Sequence, residues 1–131
     1  EVKNLPSEMK DGYFMRPTVL SGLSQDCRVQ NEEIFGPVVT LTPFKSEDEV
    51  LDMANSVPYG LSATLWTNDH SRVHRMSKKI QAGTVWVNTW MYRNLRTPLG
   101  GMKQSGVGRE GGEYSLEFFT ETQNVSMDYN S

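Results

Sequence analysis

The chain has one cysteine, Cys27, in 131 residues. That excludes an internal disulfide and a cysteine-rich metal site, and it fits a reducing, cytosolic compartment. Long apolar runs are also missing, since none approaches the roughly 18 residues that a membrane span needs. The opening stretch EVKNLPSEMKDGYF lacks both the basic and the apolar region of a signal peptide. There is no excess of positive charge. Lys and Arg total 13 against 16 Asp and Glu, for a formal net charge of -3, and the cations are spread along the chain, so nucleic acid is not an expected partner. No internal repeat or low-complexity tract occurs. A soluble unit about one domain long, or a piece of a larger one, is the expectation.

The ordering signals begin in the middle of the chain. Val38 to Phe44 is rich in β-branched residues and predicts a strand. Ser46 followed by Glu49 forms a capping box that opens a helix, with Val50, Leu51 and Ala54 on one apolar stripe and Pro58 and Gly60 as its stop. Leu61 to Trp66 predicts a second strand. Asn68-Asp69 leads into a second helix, with Val73, Met76 and Ile80 at i, i+3 and i+7 and Gly83 placed to end it. Thr84 to Val87 is a short apolar run of the kind buried on both faces of a sheet. Upstream, Tyr13 to Leu20 is an edge-strand candidate interrupted by Pro17. The β-α-β-α-β order predicts an α/β fold, a parallel sheet with crossover helices. From Asn88 to Gly112 periodicity gives way to Pro98 and repeated glycines, a long loop. Tyr114 to Phe119 then predicts a short helix. Gln123 to Asp128 predicts a terminal extended segment, which needs a partner.

Ligands of open parallel sheets bind beyond the carboxyl ends of the strands, which nominates Asn88, Thr89, Trp90, Met91, Tyr92 and Arg93. An amide, two aromatic walls and a guanidinium able to grip a carboxylate stand there together. The alternative is that Trp90 and Met91 are core and Arg93 a solvated charge. Gly106-Val107-Gly108-Arg109-Glu110-Gly111 matches GxGxxG. It follows a loop instead of a strand and precedes only a short helix, so a tight structural loop is the favoured reading over a pyrophosphate turn. Cys27, between Asp26 and Arg28, is not assigned catalysis. His70 and His74 have a metal-capable spacing without a third ligand in register, so no metal site is assigned. The acidic run Glu47-Asp48-Glu49 falls in a first helical turn, where it suits the macrodipole.

Four segments carry a resemblance to a known family. Asn31-Glu32-Glu33-Ile34-Phe35-Gly36-Pro37-Val38 resembles the EEIFGPV signature of the aldehyde dehydrogenase superfamily. Gly12-Tyr13-Phe14 with Arg16-Pro17-Thr18-Val19 is similar to its GYF-x-x-PTV segment, and Gly83-Thr84-Val85-Trp86-Val87-Asn88 to its GTVWVN strand. Pro98-Leu99-Gly100-Gly101-Met102-Lys103, continuing to Ser105-Gly106 and Gly108-Arg109-Glu110-Gly111, resembles PFGG-x-K-x-SG-x-GRE-G. The matches run in the family's order from about Gly12 to Thr122.

The resemblance implies oxidation of an aldehyde to an acid with NAD(P), NAD being the cofactor taken here. A thiolate attacks the carbonyl, hydride passes to the nicotinamide and a glutamate activates water. The family's nucleophilic cysteine and general-base glutamate belong upstream of these segments, so no catalytic residue is expected among these 131 residues, the isolated chain is expected to be inactive, and the chain is expected to be a C-terminal part of a longer enzyme. Glu33 corresponds to the family's ribose-binding glutamate and Phe35 to the phenylalanine beside the nicotinamide ring. The loop holding Asn88, Trp90 and Arg93 corresponds to the substrate tunnel. Residues 1–119 correspond to the catalytic domain and 120–131 to an arm, whose strand near Gln123 to Met127 joins a neighbouring subunit into a homo-oligomer. The stretch from Asn88 to Pro98 looks like that of the 2-hydroxymuconic and 2-aminomuconic semialdehyde dehydrogenases, which makes Arg93 a carboxylate clamp; Leu99 and Tyr92 depart from the usual pattern. A general or betaine aldehyde dehydrogenase, or a non-catalytic oligomerisation protein, are the alternatives.

Overall fold

A computed structural model describes residues 5–130. Two compact units divide between Val57 and Pro58.

The first unit contains strand β1 (Thr18–Ser21), helix α1 (Arg28–Asn31), strand β2 (Val38–Leu41) and helix α2 (Glu47–Asn55). β1 and β2 are parallel, in register from Thr18↔Val38 to Ser21↔Leu41. Prolines set both lengths. β1 begins directly after Pro17, with the Thr18 N–H on the Pro37 carbonyl at 2.9 Å. β2 stops at Leu41, short of the expected Phe44, because Pro43 has no N–H to continue a ladder. The expected edge strand from Tyr13 is likewise confined to the residues after Pro17. Helix α1 is a single turn that the periodicity did not reveal. The Asn31 amide ties it down, donating to the carbonyls of Gln25 at 2.6 Å and Cys27 at 3.0 Å. Cys27 itself is the residue preceding α1, and its thiol makes no capping bond.

Helix α2 starts as its sequence dictates. The Ser46 hydroxyl accepts from the Glu49 N–H at 3.1 Å, and the Glu49 carboxylate reaches back to the Lys45 N–H at 2.6 Å, one residue before the usual capping-box partner. Leu51, 6% exposed, is the buried residue of its apolar stripe.

The second unit contains β3 (Ser62–Leu65), α3 (His70–Lys79), β4 (Thr84–Val87) and α4 (Gly112–Phe119). β3 and β4 are parallel, in register from Ser62↔Thr84 to Leu65↔Val87. The fold is thus α/β as expected, with its ladders as two parallel pairs. The Asp69 carboxylate caps α3 by accepting from the Arg72 N–H at 3.0 Å. Lys78 and Lys79 occupy its last turn, where cations suit the dipole. Met76, 4% exposed, and Ala82 are its core. Gly83 does not end the helix, which closes at Ile80. A side chain at Gly83 would run into the Gly100 carbonyl, so the glycine allows the loop to pack directly against the entry to β4.

That loop, residues 88–111, is ordered by its own backbone. Leu99 and Glu110 exchange reciprocal N–H···O bonds of 2.8 Å as an antiparallel bridge. The Gly60 carbonyl accepts from both Gly83 (3.0 Å) and Met102 (2.8 Å), while the Gly60 N–H donates to the Ser105 hydroxyl at 2.9 Å. Residues 120–130 have no ladder partner among the described residues, and Val125, Met127 and Tyr129 are exposed. Among the described residues no helix is long and apolar enough to cross a membrane.

Candidate functional site

The nominated residues fall into two clusters, one in each unit. In the first, the turn between α1 and β2 encloses a concavity of about 300 Å³ lined by Val29, Glu32, Glu33, Ile34, Phe35 and Gly36, with Val38 and Thr40. Glu33 and Phe35 therefore meet on one surface. The two adjacent glutamates have different fates. Glu32 receives two bonds from Arg28, Nε to Oε1 at 2.8 Å and Nη2 to Oε2 at 2.7 Å, and this pairing holds its carboxyl below the ordinary range. Glu33 has no hydrogen-bond or ion-pair partner among the described residues, so its carboxylate is available to hydroxyl or amide donors. Phe35 is 92% exposed and has φ 53°, a left-handed conformation that costs a bulky side chain about 1–2 kcal/mol. A fully exposed ring in a strained turn gains nothing from burial in this chain. A free carboxylate beside a bare aromatic face suits a ligand that brings both hydroxyls and a flat ring.

In the second unit, the segment after β4 is fixed by its flanks. The Asn88 amide bridges Thr67, accepting from its N–H at 2.9 Å and donating to its carbonyl at 2.8 Å. The Trp86 indole N–H donates to the Tyr92 carbonyl at 2.7 Å. Between these anchors Trp90 (70% exposed), Met91 and Tyr92 turn outward. The alternative of Trp90 and Met91 as core side chains does not hold in this chain. Arg93 is not a purely solvated charge either: its Nη2 donates to Glu110 Oε1 at 2.7 Å. Sequence reasoning passed over Glu110, because an ion pair between residues 17 apart across an aperiodic loop leaves no local pattern.

The GxGxxG run forms a structural loop. It lies along a concavity of about 340 Å³ whose lining includes Leu99, Gly106, Gly108, Glu110, Phe118 and Phe119. Gly111, at φ 100°, presses against the Thr97 carbonyl where a side chain would collide. The Arg109 guanidinium is turned onto the backbone, donating to the carbonyls of Gly101 at 2.9 Å and Gly108 at 2.6 Å. Of the described positive-φ residues other than glycine, Phe35, Asn88 and Met91 all fall in the nominated segments, with Lys103 the remaining one. Such strain gathers where geometry serves a ligand.

Known proteins give these clusters a context. The sequence profile described as the aldehyde dehydrogenase family matches residues 2–125, and the chain belongs to that family. It is 53% identical over 125 residues to a 2-aminomuconic semialdehyde dehydrogenase from Danio rerio, covering 95% of this chain and 26% of the relative. It is 51% identical over 126 residues to a 2-hydroxymuconic semialdehyde dehydrogenase from a Pseudomonas species, covering 96% and 26%. Among solved structures it resembles the NAD+ complex of an aldehyde dehydrogenase from Bacillus cereus, with a TM-score of 0.84 and 44% identity, covering 91% of this chain and 24% of that one. The chain spans about a quarter of the length of these relatives.

Proposed function

We propose that these residues serve an NAD-dependent aldehyde dehydrogenase that oxidises a carboxylate-bearing semialdehyde of the 2-hydroxymuconic or 2-aminomuconic kind. The carrying observation is Arg93: a guanidinium beyond the carboxyl end of β4, beside the exposed Trp90 and Tyr92 rings and held by a single bond to Glu110. With Nε and Nη1 lacking partners among the described residues, it keeps donors for the carboxylate of a substrate. Trp90 walls the chain of the substrate. Asn88 holds the loop through Thr67 and retains one amide hydrogen to offer.

Glu33 and Phe35 are the residues that would hold the cofactor. The free carboxylate accepts ribose hydroxyls, and the exposed ring packs beside the nicotinamide. NAD supplies the hydride acceptor when bound. The cysteine nucleophile and general base lie outside these residues in this reading, which makes the segment a binding and positioning part. Residues 123–127 pair with a neighbouring subunit, since their backbone groups are unladdered and Val125 and Met127 are exposed. The arm 120–131 is then the oligomerisation element and 1–119 the catalytic-domain portion. The single cysteine suits a cytosolic setting.

Arg93→Ala tests the substrate reading. In the dehydrogenase carrying these residues it should raise KM for the semialdehyde about thirtyfold, the equivalent of about 2 kcal/mol for a lost charge-assisted bond, and leave KM for a simple aliphatic aldehyde nearly unchanged. Equal effects on both substrates would sink the clamp and favour a general aldehyde dehydrogenase.

A further inference from the structure

We infer that Arg28 is a specificity-determining residue for the redox state of the cofactor: it masks the Glu32 carboxylate, so that the nicotinamide end of the site carries the single free charge of Glu33. The inference rests on the reading of Glu33 and Phe35 given above. Glu32 lines the same concavity as Glu33, which has no hydrogen-bond or ion-pair partner among the described residues. Two adjacent carboxylates would act on a ligand there together. Arg28, one helical turn earlier, meets Glu32 edge to edge, with Nε on Oε1 at 2.8 Å and Nη2 on Oε2 at 2.7 Å. Both oxygens of Glu32 are thereby engaged, in the two-bond geometry that best compensates a carboxylate.

The chemistry at stake is the charge of the nicotinamide. The oxidised ring is a cation and the reduced ring is neutral, so the two cofactor forms differ at that end by one positive charge. A further negative charge at the concavity therefore favours the oxidised form over the reduced one. The pyrophosphate does not alter that sign, because it is common to both forms. With Glu32 compensated, Glu33 alone sets the discrimination. The side chains of the pair are 85% and 53% exposed, so it adds little to the stability of the fold, and its electrostatic effect is modest and screened by salt. The two partners are not equivalent. Without Glu32, the Arg28 side chain is free to turn into solvent, where its charge is hydrated. Without Arg28, Glu32 stays beside Glu33, because its N–H is held on the Arg28 carbonyl at 2.8 Å at the close of α1.

The test is a pair of dissociation constants, for NAD+ and for NADH, measured by equilibrium titration of the dehydrogenase carrying these residues with no aldehyde present. Arg28→Gln should raise the ratio of the NADH constant to the NAD+ constant about two- to fivefold, the effect of one uncompensated charge in a partly solvated site. Salt at about 0.5 M should abolish most of that rise. Glu32→Gln and the double variant Arg28→Gln, Glu32→Gln should both keep the ratio of the parent protein, since neither leaves an unmasked carboxylate. The double variant also controls for structure, because any distortion caused by losing Arg28 persists in it. An unchanged or lower ratio in Arg28→Gln, a rise that survives in the double variant, or a rise indifferent to salt would overturn the inference. Failure of the cofactor reading is separable. It leaves both constants unchanged in Glu33→Gln, whereas failure of the mask alone leaves Glu33→Gln with weaker cofactor binding and Arg28→Gln with the parent ratio.

Discussion

Asn88 and Thr67 are joined by a two-way amide bridge, 2.9 Å into the Asn88 oxygen and 2.8 Å out of its nitrogen, that fastens the exit of β4 to the exit of β3. The Asn88 N–H adds a third bond to the Leu65 carbonyl at 2.9 Å. Asn88 stands at φ 52°, a left-handed conformation that asparagine tolerates better than most residues. The side chain thus fixes where the following loop starts.

Asn88→Ala should therefore destabilise the fold by about 1–3 kcal/mol, from two lost hydrogen bonds and a disfavoured backbone, as a fall in the midpoint of chemical denaturation. Because the whole loop shifts, KM should worsen for charged and uncharged aldehydes alike. A selective loss on the carboxylate-bearing substrate would show instead that the Asn88 amide contacts that carboxylate directly.

The neighbouring glutamates of the first cluster give a paired prediction. Glu33→Gln should raise KM for NAD several-fold to about tenfold, because an amide accepts hydroxyl bonds less strongly than a carboxylate. Glu32→Gln should leave KM for NAD unchanged, because the Glu32 carboxylate is already engaged by Arg28. Cofactor titrations of the two variants decide the matter; matching responses would remove the ribose assignment from Glu33.

Acid provides a third test, at the cap of α3. The N–H bond from Arg72 is the main cause that lowers the Asp69 carboxyl below the ordinary aspartate value, with nearby Arg72 and Arg75 assisting. The native value lies below the unfolded one, so the stabilisation is complete above the unfolded value and is lost as pH falls through the lowered native value. The acid limb of a circular dichroism titration should show this loss in the native protein and lack that component in Asp69→Asn. An unchanged acid limb would mean that the cap contributes no pH dependence.

Much of this was legible because local chemistry decided it. Ser46 with Glu49 announced α2, Asp69 announced α3, and the β-branched runs announced β2 and β4, since capping and strand preference act over a few neighbouring residues. The parallel pairing was also readable from alternation. Helix α1 was not, because a single turn held by Asn31 has no room for an apolar period. The role of Gly83 was misjudged for a related reason: its constraint comes from the Gly100 carbonyl, which is remote in sequence. In the candidate site, Glu33, Phe35 and Arg93 could be nominated by motif. Their different states, one free carboxylate, one strained ring and one paired guanidinium, depend on partners that no motif names.

Gly60 gives the loop its dependence on the sheet. One carbonyl receives the amide before β4 and an amide from within the loop, while the N–H of the same residue is committed to Ser105. Displacing the backbone at that residue, whose N–H and carbonyl lie in adjacent peptides, releases all three at once. The amides of Gly83 and Met102 would thus exchange with solvent deuterium as a single cooperative event, and the precision of the substrate-side loop would follow the breathing of a position far outside it in sequence.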